Sequence, residues 1–381
     1  MALYEPGLGY YARGAPIFGA RPDGGVGGGS DFVTAPEMSP LFGAALARQV
    51  AEVLRLGQLD EVVEFGAGSG ALAEQVLQAL QAAGVPLRRY AIVELTGALR
   101  ARQQARLARF GAQVQWLDSW PAEGSEGAGG MGGVGGMGGA GGAGGADEAR
   151  RAASACGLEA VVIGNEVLDA MPVKLLHWDG REWFERGVVA AMSGGARRLA
   201  FGDRPTSLRP PRAEDALPGA VLEVHAQAAA FMATLASRLA RGAAFFIDYG
   251  FPEREYYHPQ RHQGTLMCHR AHRSLPDAGE VLAEPGSKDI TAHVDFTAMA
   301  LAAQDAGAEV VGYTTQARFL VNCGLLDLLR GADARTIAAA QKLITEHEMG
   351  ELFKVLALAR GVPFPAAGPL GFVAGDRTHM L

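Results

Sequence analysis

Residues 61–72 read EVVEFGAGSGAL. A short apolar run, Val62, Val63 and Phe65, stops at three closely spaced glycines, Gly66, Gly68 and Gly70, and an Ala/Leu-rich helical pattern starts at once. Strand, glycine loop and helix in that order are the first step of an α/β nucleotide-binding unit. Glycine adopts φ > 0 and lets a ligand approach bare backbone. The new helix start adds unpaired N–H groups. Glu64 sits two residues ahead of the first glycine, where a carboxylate can face a cationic part of the ligand.

GAGSGA fits the G-x-G-x-G pattern of S-adenosylmethionine enzymes and the G-x-G-x-x-A dinucleotide fingerprint alike. A tight turn with no ligand is the bland alternative. The second strand, 90–94 (YAIVE), ends on Glu94, where either fold puts the carboxylate that grips a ribose. An adenosine-containing ligand follows, with the choice between cofactors open at this point.

Composition sets the frame. The chain has 381 residues, 49% hydrophobic and 20% charged, enough for a large core. A net charge of −7 argues against a nucleic acid partner. The three cysteines, Cys156, Cys268 and Cys323, are far apart and build neither a disulfide framework nor a zinc motif. No apolar run reaches the ~20 residues of a membrane span, and MALYEPGLGYYARG lacks a charged-then-apolar signal. The expectation is a cytoplasmic protein with no membrane partner.

Around the central unit the chain reads as follows. Residues 1–38 are Gly-, Pro- and Tyr-rich and predict an ordered but irregular segment with a flexible tip at 24–29. Ser39-Pro40 starts a helix running to about residue 56. Thr34, Glu37 and Ser39 read equally as ligand contacts or as caps. A basic helix spans 98–110, its arginines a solvated face. The third strand, 113–117, precedes Asp118, which is placed to meet an adenine amino group or is a simple turn aspartate. Residues 124–146, almost all Gly, Ala and Met, predict a disordered insertion. The fourth strand, 160–163, runs into GNEVLDAMPV. In open α/β sheets chemistry lies beyond the carboxyl ends of strands, so Asn165, Glu166 and Asp169 fall beside the same crevice. Two carboxylates and an amide there suit a cationic or amine substrate, against the plain reading of a helix-capping loop.

Further on, Asp179-Gly180 signals a hairpin inside a β-rich excursion over 173–224. The fifth strand, 243–247, ends in Asp248-Tyr249-Gly250, weaker candidates at the same edge. His258, His262, His269, His272 and His293 gather in 251–295 with Cys268 near. Pro259 between the first pair speaks against a helical metal site. Asp295 reads as an N-cap for a helix at 296–306. A sixth strand at 309–313, a helical insertion at 316–350 and a last strand at 352–358 complete one domain.

Together LYEPGLGYYARG, DFVTAPEMSPLFG, VVEFGAGSGAL, GNEVLDAMPV, FFIDYG, DITAHVDF, TQARFL and MGELFKVLAL resemble, in order and over nearly the whole chain, one family. It is the S-adenosyl-L-methionine-dependent methyltransferase family of MidA and the mitochondrial complex I assembly methyltransferase. The resemblance implies a class I Rossmann-like sheet with a final antiparallel strand, plus β-rich and helical insertions. It implies S-adenosyl-L-methionine as cofactor and, through the mitochondrial relative, methylation of a protein arginine in a respiratory complex subunit. Members carry a further N-terminal helix before the segment matching LYEPGLGYY, so a lid or substrate wall is expected to be missing here.

On this reading the loop from Gly66 through Gly68 to Gly70 places the methionine moiety and ribose. Glu64 approaches the ammonium, Glu94 accepts the ribose hydroxyls and Asp118 meets the adenine. Glu166 and Asp169 hold a guanidinium, Asn165 orients it, and His293 is a proton acceptor or a loop anchor. A small-molecule methyltransferase, an assembly chaperone that keeps the cofactor pocket, and an NAD-linked dehydrogenase are the rivals. The last lacks any hydride-transfer constellation.

Overall fold

A computed structural model describes residues 2–5, 7–12, 33–120, 157–193, 195–270, 273–275 and 278–381. The tip at 24–29, the insertion at 124–146 and His272 lie outside the described residues.

Among the described residues there are fifteen strands. The first four are β1 (Glu61–Phe65), β2 (Arg89–Val93), β3 (Val114–Leu117) and β4 (Leu158–Asn165). Next come β5 (Lys174–Trp178), β6 (Trp183–Ser193), β7 (Ala196–Pro205), β8 (Val221–Val224) and β9 (Leu239–Phe251). Three short strands, β10 (Met267–Arg270), β11 (Arg273–Leu275) and β12 (Asp289–Thr291), precede β13 (Val294–Asp295), β14 (Glu309–Thr315) and β15 (Phe353–Arg360).

The main sheet has the order β14-β15-β9-β4-β1-β2-β3. β1 pairs in parallel with β2 and β4, β2 with β3, and β4 with β9. β15 alone runs against its neighbours, antiparallel to both β9 and β14. A late antiparallel strand slotted between β9 and β14 is the class I arrangement that the family resemblance implied.

β1 is buried along its whole length and belongs to two cores. Val62 joins Phe42, Leu46, Val50, Val76 and Leu77 on one face, and Val63 joins Val162, Met232, Leu235, Phe296 and Met299 on the other. Parallel strands covered on both faces read as continuous apolar runs, which is why β1 and β4 stand out in the sequence.

The first face is covered by helix α1 (Pro40–Gly57) and helix α2 (Ala71–Ala82). Ser39 caps α1, its Oγ accepting from the Leu41 N–H at 3.3 Å, with Pro40 in the first turn. Helix α3 (Gly97–Leu107) follows β2. On the second face lie helix α4 (Ala226–Arg238) and helix α5 (Phe296–Asp305). Asp295 caps α5 by accepting from the Ala298 N–H at 3.1 Å.

Outside the main sheet, β7-β6-β5-β8 form an antiparallel sheet whose β5–β6 turn contains Asp179-Gly180, with Gly180 at φ +98°. β11-β10-β12 form a second small sheet. Residues 316–350 contain the helices Gln316–Asn322 and Ala334–Ile344. Residues 2–5 and 7–12 form turns, and a single helical turn, Ala35–Met38, leads into α1. Among the described residues no helix is long and apolar enough to cross a membrane.

Candidate active site

At the carboxyl ends of β1, β2 and β4 opens a cavity of about 1070 Å³. That lies at the upper end of the ~300–1,000 Å³ that encloses a drug-sized ligand. Its walls include Glu64, Gly66, Gly68, Glu94, Asp118, Asn165, Glu166 and Asp169. The structure therefore brings eight of the nine predicted site residues to one chamber. Gly70 stands behind it as the residue preceding α2, at φ +80°. Gly66 and Gly68 lie at φ +64° and +53°, a conformation that resists side chains. A Cβ on Gly66 would also press on the Val167 side chain at 3.0 Å.

The β1–β2 side is internally satisfied. Glu64 is buried and accepts from the Tyr90 hydroxyl at 2.7 Å. Burial pushes its carboxyl up to about 7 against that hydrogen bond. Glu94 accepts from the Thr96 N–H (2.9 Å) and hydroxyl (2.7 Å) on one oxygen, and from Gln103 Nε2 (2.9 Å) on the other. Gln103 Nε2 also donates to the Gly68 carbonyl at 3.0 Å, tying acid and glycine loop together. Leu95 beside it is an apolar side chain left 73% exposed on the wall. Asp118 sits at the rim, its side chain exposed and ion-paired with Arg100.

Arg102 of α3 is exposed, as the sequence suggests, but Arg106 is not part of a solvated face. Arg106 donates to Glu37 (3.1 Å), the Ser69 hydroxyl (2.7 Å) and Glu74 (3.0 Å), and Glu37 also bonds Ser69. Glu37 thus braces the glycine loop from outside the cavity, while Thr34 lines it.

The β4 side is built differently. Glu166 follows β4 at φ +54°, a rare conformation for a non-glycine residue and one concentrated at functional sites. Its N–H bonds the Ile247 carbonyl at 2.9 Å. The next three N–H groups, of Val167, Leu168 and Asp169, all donate to one oxygen of Asp248 at 3.1, 2.9 and 3.3 Å. Asp248 is buried behind the chamber, at the far end of β9, and fixes this turn. Tyr249 and His293 do line the cavity.

The side chains on this turn remain partly unmatched. Asn165 Nδ2 donates to Glu166 at 3.1 Å, but Asn165 Oδ1 and Asp169 Oδ1 are buried with no hydrogen-bond partner. Asp169 is 5% exposed, and burial pushes its carboxyl up to about 6 against a hydrogen bond from Tyr249. Glu166 is pushed up to about 8, first by burial, then by the Asp169 charge. An orphaned buried carboxylate oxygen carries a desolvation penalty, and a cation entering the cavity relieves it.

Charge decides what fits. Six carboxylates line the chamber: Glu64, Glu94, Asp118, Glu166, Asp169 and Asp289. Among the described lining residues there is no Lys or Arg. His269 and His293 are held below their ordinary value, His293 down to about 4, by burial, so neither is a cation at neutral pH. A dinucleotide pyrophosphate would meet a carboxyl-rich wall with no Lys or Arg among its described lining residues, although Asp118 is paired with Arg100. A sulfonium-bearing, ammonium-bearing adenosine ligand is complementary, which removes the ambiguity left by the glycine pattern.

Several wall residues escape sequence reasoning. Phe65, Trp120 and Phe231 form an aromatic cluster with ring centroids 4.8–5.2 Å apart; Phe231 looks like an ordinary core position of α4. Among the described residues no group of three His, Cys, Asp or Glu is arranged to hold a metal.

Comparison with known proteins agrees with this geometry. Residues 45–132 and 146–314 match the model of a family described as S-adenosyl-L-methionine-dependent methyltransferase. A protein from Burkholderia thailandensis, solved bound to S-adenosyl-homocysteine, superposes with a TM-score of 0.83 at 46% identity, covering 100% of this chain and 90% of that one. Among curated relatives, the Danio rerio mitochondrial protein arginine methyltransferase NDUFAF7 is 27% identical over 94% of this chain and 81% of its own length. The Drosophila melanogaster homologue is 28% identical over 94% and 80%. These names also correct the cytoplasmic placement expected above: the named relatives are mitochondrial. Missing apolar runs and leader patterns describe the chain but do not fix a compartment. S-adenosyl-L-methionine is the cofactor, and the chain belongs to the S-adenosyl-L-methionine-dependent methyltransferase family whose model spans more than half of it.

Proposed function

We propose that this methyltransferase modifies the guanidinium of an arginine side chain in a protein. The carrying observation is the β4 turn: Asp169 Oδ1, buried and unpaired, beside Glu166 and Asn165 in a chamber with no Lys or Arg among its described lining residues. A planar cation with several N–H donors matches carboxylates bidentately. The names of the curated relatives support the same acceptor.

When bound, S-adenosyl-L-methionine supplies an electrophilic methyl group on sulfur. The chain's own residues do the rest. Gly66 and Gly68 admit the ligand to the backbone, Gly70 opens the helix behind it, and Glu94 takes the ribose hydroxyls. Glu64 faces the amino group. Leu95 and Asp118 flank the adenine. Across the chamber Glu166 and Asp169 hold the guanidinium and draw its charge away from the reacting nitrogen, which is a poor nucleophile while that charge is shared. Asn165 Oδ1 accepts from one of its N–H groups. The bound guanidinium favours the ionised form of Glu166, and the proton released on methylation returns to that carboxylate, restoring the protonated form that burial favours. Alignment of acceptor and donor is the larger part of such catalysis.

The test is direct. Full-length protein is incubated with isotope-labelled S-adenosyl-L-methionine and lysate, and the labelled species are identified by mass spectrometry. Methylated arginine in a protein is expected, with a respiratory complex subunit as the first candidate. Label confined to a metabolite or to lysine overturns the proposal. So does an unlabelled partner retained in a pull-down, which would favour the chaperone reading.

A further inference from the structure

The same chamber has a further flank that the methyl-transfer reading above does not use. Its walls come from sequence-distant pieces: the N-terminal turns, which give Tyr4 and Tyr11, and the small sheet, which gives Met267, His269 and Asp289. The turns are firmly anchored. Tyr10 is fully buried, and the Tyr10 and Tyr11 N–H groups bond the carbonyls of Ala2 and Leu3 at 2.8 and 2.9 Å. Tyr4 and Tyr11 stack with centroids 5.5 Å apart and planes 20° from parallel. The Tyr11 hydroxyl donates to Asp289 Oδ1 at 2.8 Å, and the Tyr4 hydroxyl to the Ala170 carbonyl at 3.2 Å. Tyr4 therefore reaches the residue after Asp169, and it is 41% exposed. Asp289 is 4% exposed, and its charge, like that of Asp169, bears on Glu166.

A buried carboxylate next to a stacked aromatic pair is a receptor for a flat, delocalised cation. The carboxylate takes the N–H edge, the ring takes the face, and a compact ammonium gains less from the second contact. We propose that Tyr4, Tyr11 and Asp289 form an outer acceptor station that selects an arginine over a lysine side chain and hands it inward to Asp169 and Glu166. This rests on the arginine reading above and names the residues that enforce it. It makes Asp289 and the tyrosine pair specificity-determining residues, separate from the turn where the methyl group is received.

The experiment uses full-length protein saturated with S-adenosyl-homocysteine and titrated with N-acetyl-arginine amide or N-acetyl-lysine amide, with binding followed by NMR. Wild type is expected to prefer the arginine probe. Asp289→Asn should weaken it about tenfold, the loss of one charge-assisted contact, and Tyr4→Ala should flatten the arginine-to-lysine ratio. S-adenosyl-homocysteine affinity should stay unchanged in both. Tyr11→Phe removes only the hydroxyl that orients Asp289 and should weaken the arginine probe about threefold; it decides the matter if Asp289→Asn fails to fold. If Asp289→Asn and Tyr11→Phe bind the arginine probe like wild type while Asp169→Asn does not, the outer station is refuted and the arginine reading stands. If wild type binds both probes equally, or neither, the arginine reading falls and the station with it.

Discussion

The two sides of the cavity solve opposite problems with the same kind of residue. On the β1–β2 side Glu64 and Glu94 are buried carboxylates whose partners come from the chain itself: Tyr90, Thr96 and Gln103. On the β4 side Asn165 and Asp169 keep orphaned oxygens, and Glu166 sits in a strained backbone conformation. Self-matched groups hold their geometry whether or not a ligand is present. Unmatched ones stay costly until a ligand arrives. On the function proposed above, the contrast separates a preformed cofactor seat from an acceptor seat that is completed by its substrate.

The sharpest way to break this comparison is Glu166→Gln. It should lower kcat for methyl transfer by roughly 100-fold or more, the usual scale for losing a proton acceptor. Cofactor affinity by calorimetry should stay within about twofold, well below the tenfold that 1.4 kcal/mol represents. Lost cofactor binding in a folded variant would merge the two seats into one.

Asp248→Ala comes next. Three N–H groups lose their common acceptor, and destabilisation of about 3 kcal/mol is expected from unsatisfied buried donors. Chemical denaturation reads it. An unchanged midpoint would mean that the Glu166 turn needs no such support.

Glu94→Gln tests the preformed side. Cofactor affinity should fall about tenfold, the scale of one hydrogen bond to a charged acceptor. Arginine-probe binding to the cofactor-free chain should not change.

The smallest effect is on pH and stability. Glu64, Asp295 and Glu166 have native carboxyl pKa values raised to about 7, 7 and 8. The native state then binds more protons than the unfolded state, and stability falls as pH rises. His225 and His293, both lowered to about 4, act oppositely, losing stability only as pH drops below about 6.5. Between pH 6.5 and 8.5 the carboxylates act alone. Tm of the ligand-free protein should fall there by about 1–2 °C per kcal/mol lost, and a bound cation should reduce the fall. A Tm that rises over this range would show that these groups are not buried acids.

Much of the fold is legible because of how it is buried. Val62-Val63 and Ala160–Ile163 are covered on both faces, so no polar alternation interrupts them. The strand ending at Ile247 was harder to read. Asp248-Tyr249-Gly250 looks like a breaker, yet β9 runs on to Phe251, because Tyr249 and Asp248 pair with Phe353 and Lys354, and Gly250 with Val294. Those partners are set by the tertiary fold; the Val294 carbonyl lies 2.1 Å from where a Cβ on residue 250 would sit. Glycine spacing and strand-end position led to Glu64, Glu94 and Glu166. Phe231, Tyr4, Tyr11 and Asp289 reach the chamber only through docking of distant segments, and no local pattern announces that.

The turn Ala35–Met38 holds both sides at once. The Ala35 N–H bonds the Glu166 carboxylate, and Glu37 grips Ser69 and Arg106 behind the glycine loop. Thermodynamic reciprocity then applies: whatever ligand steadies this clasp from one side tightens the hold on the other by the same factor. On the proposed reading, donor and acceptor are linked through these four residues, and spent cofactor is expected to be retained more firmly while the methylated acceptor stays bound.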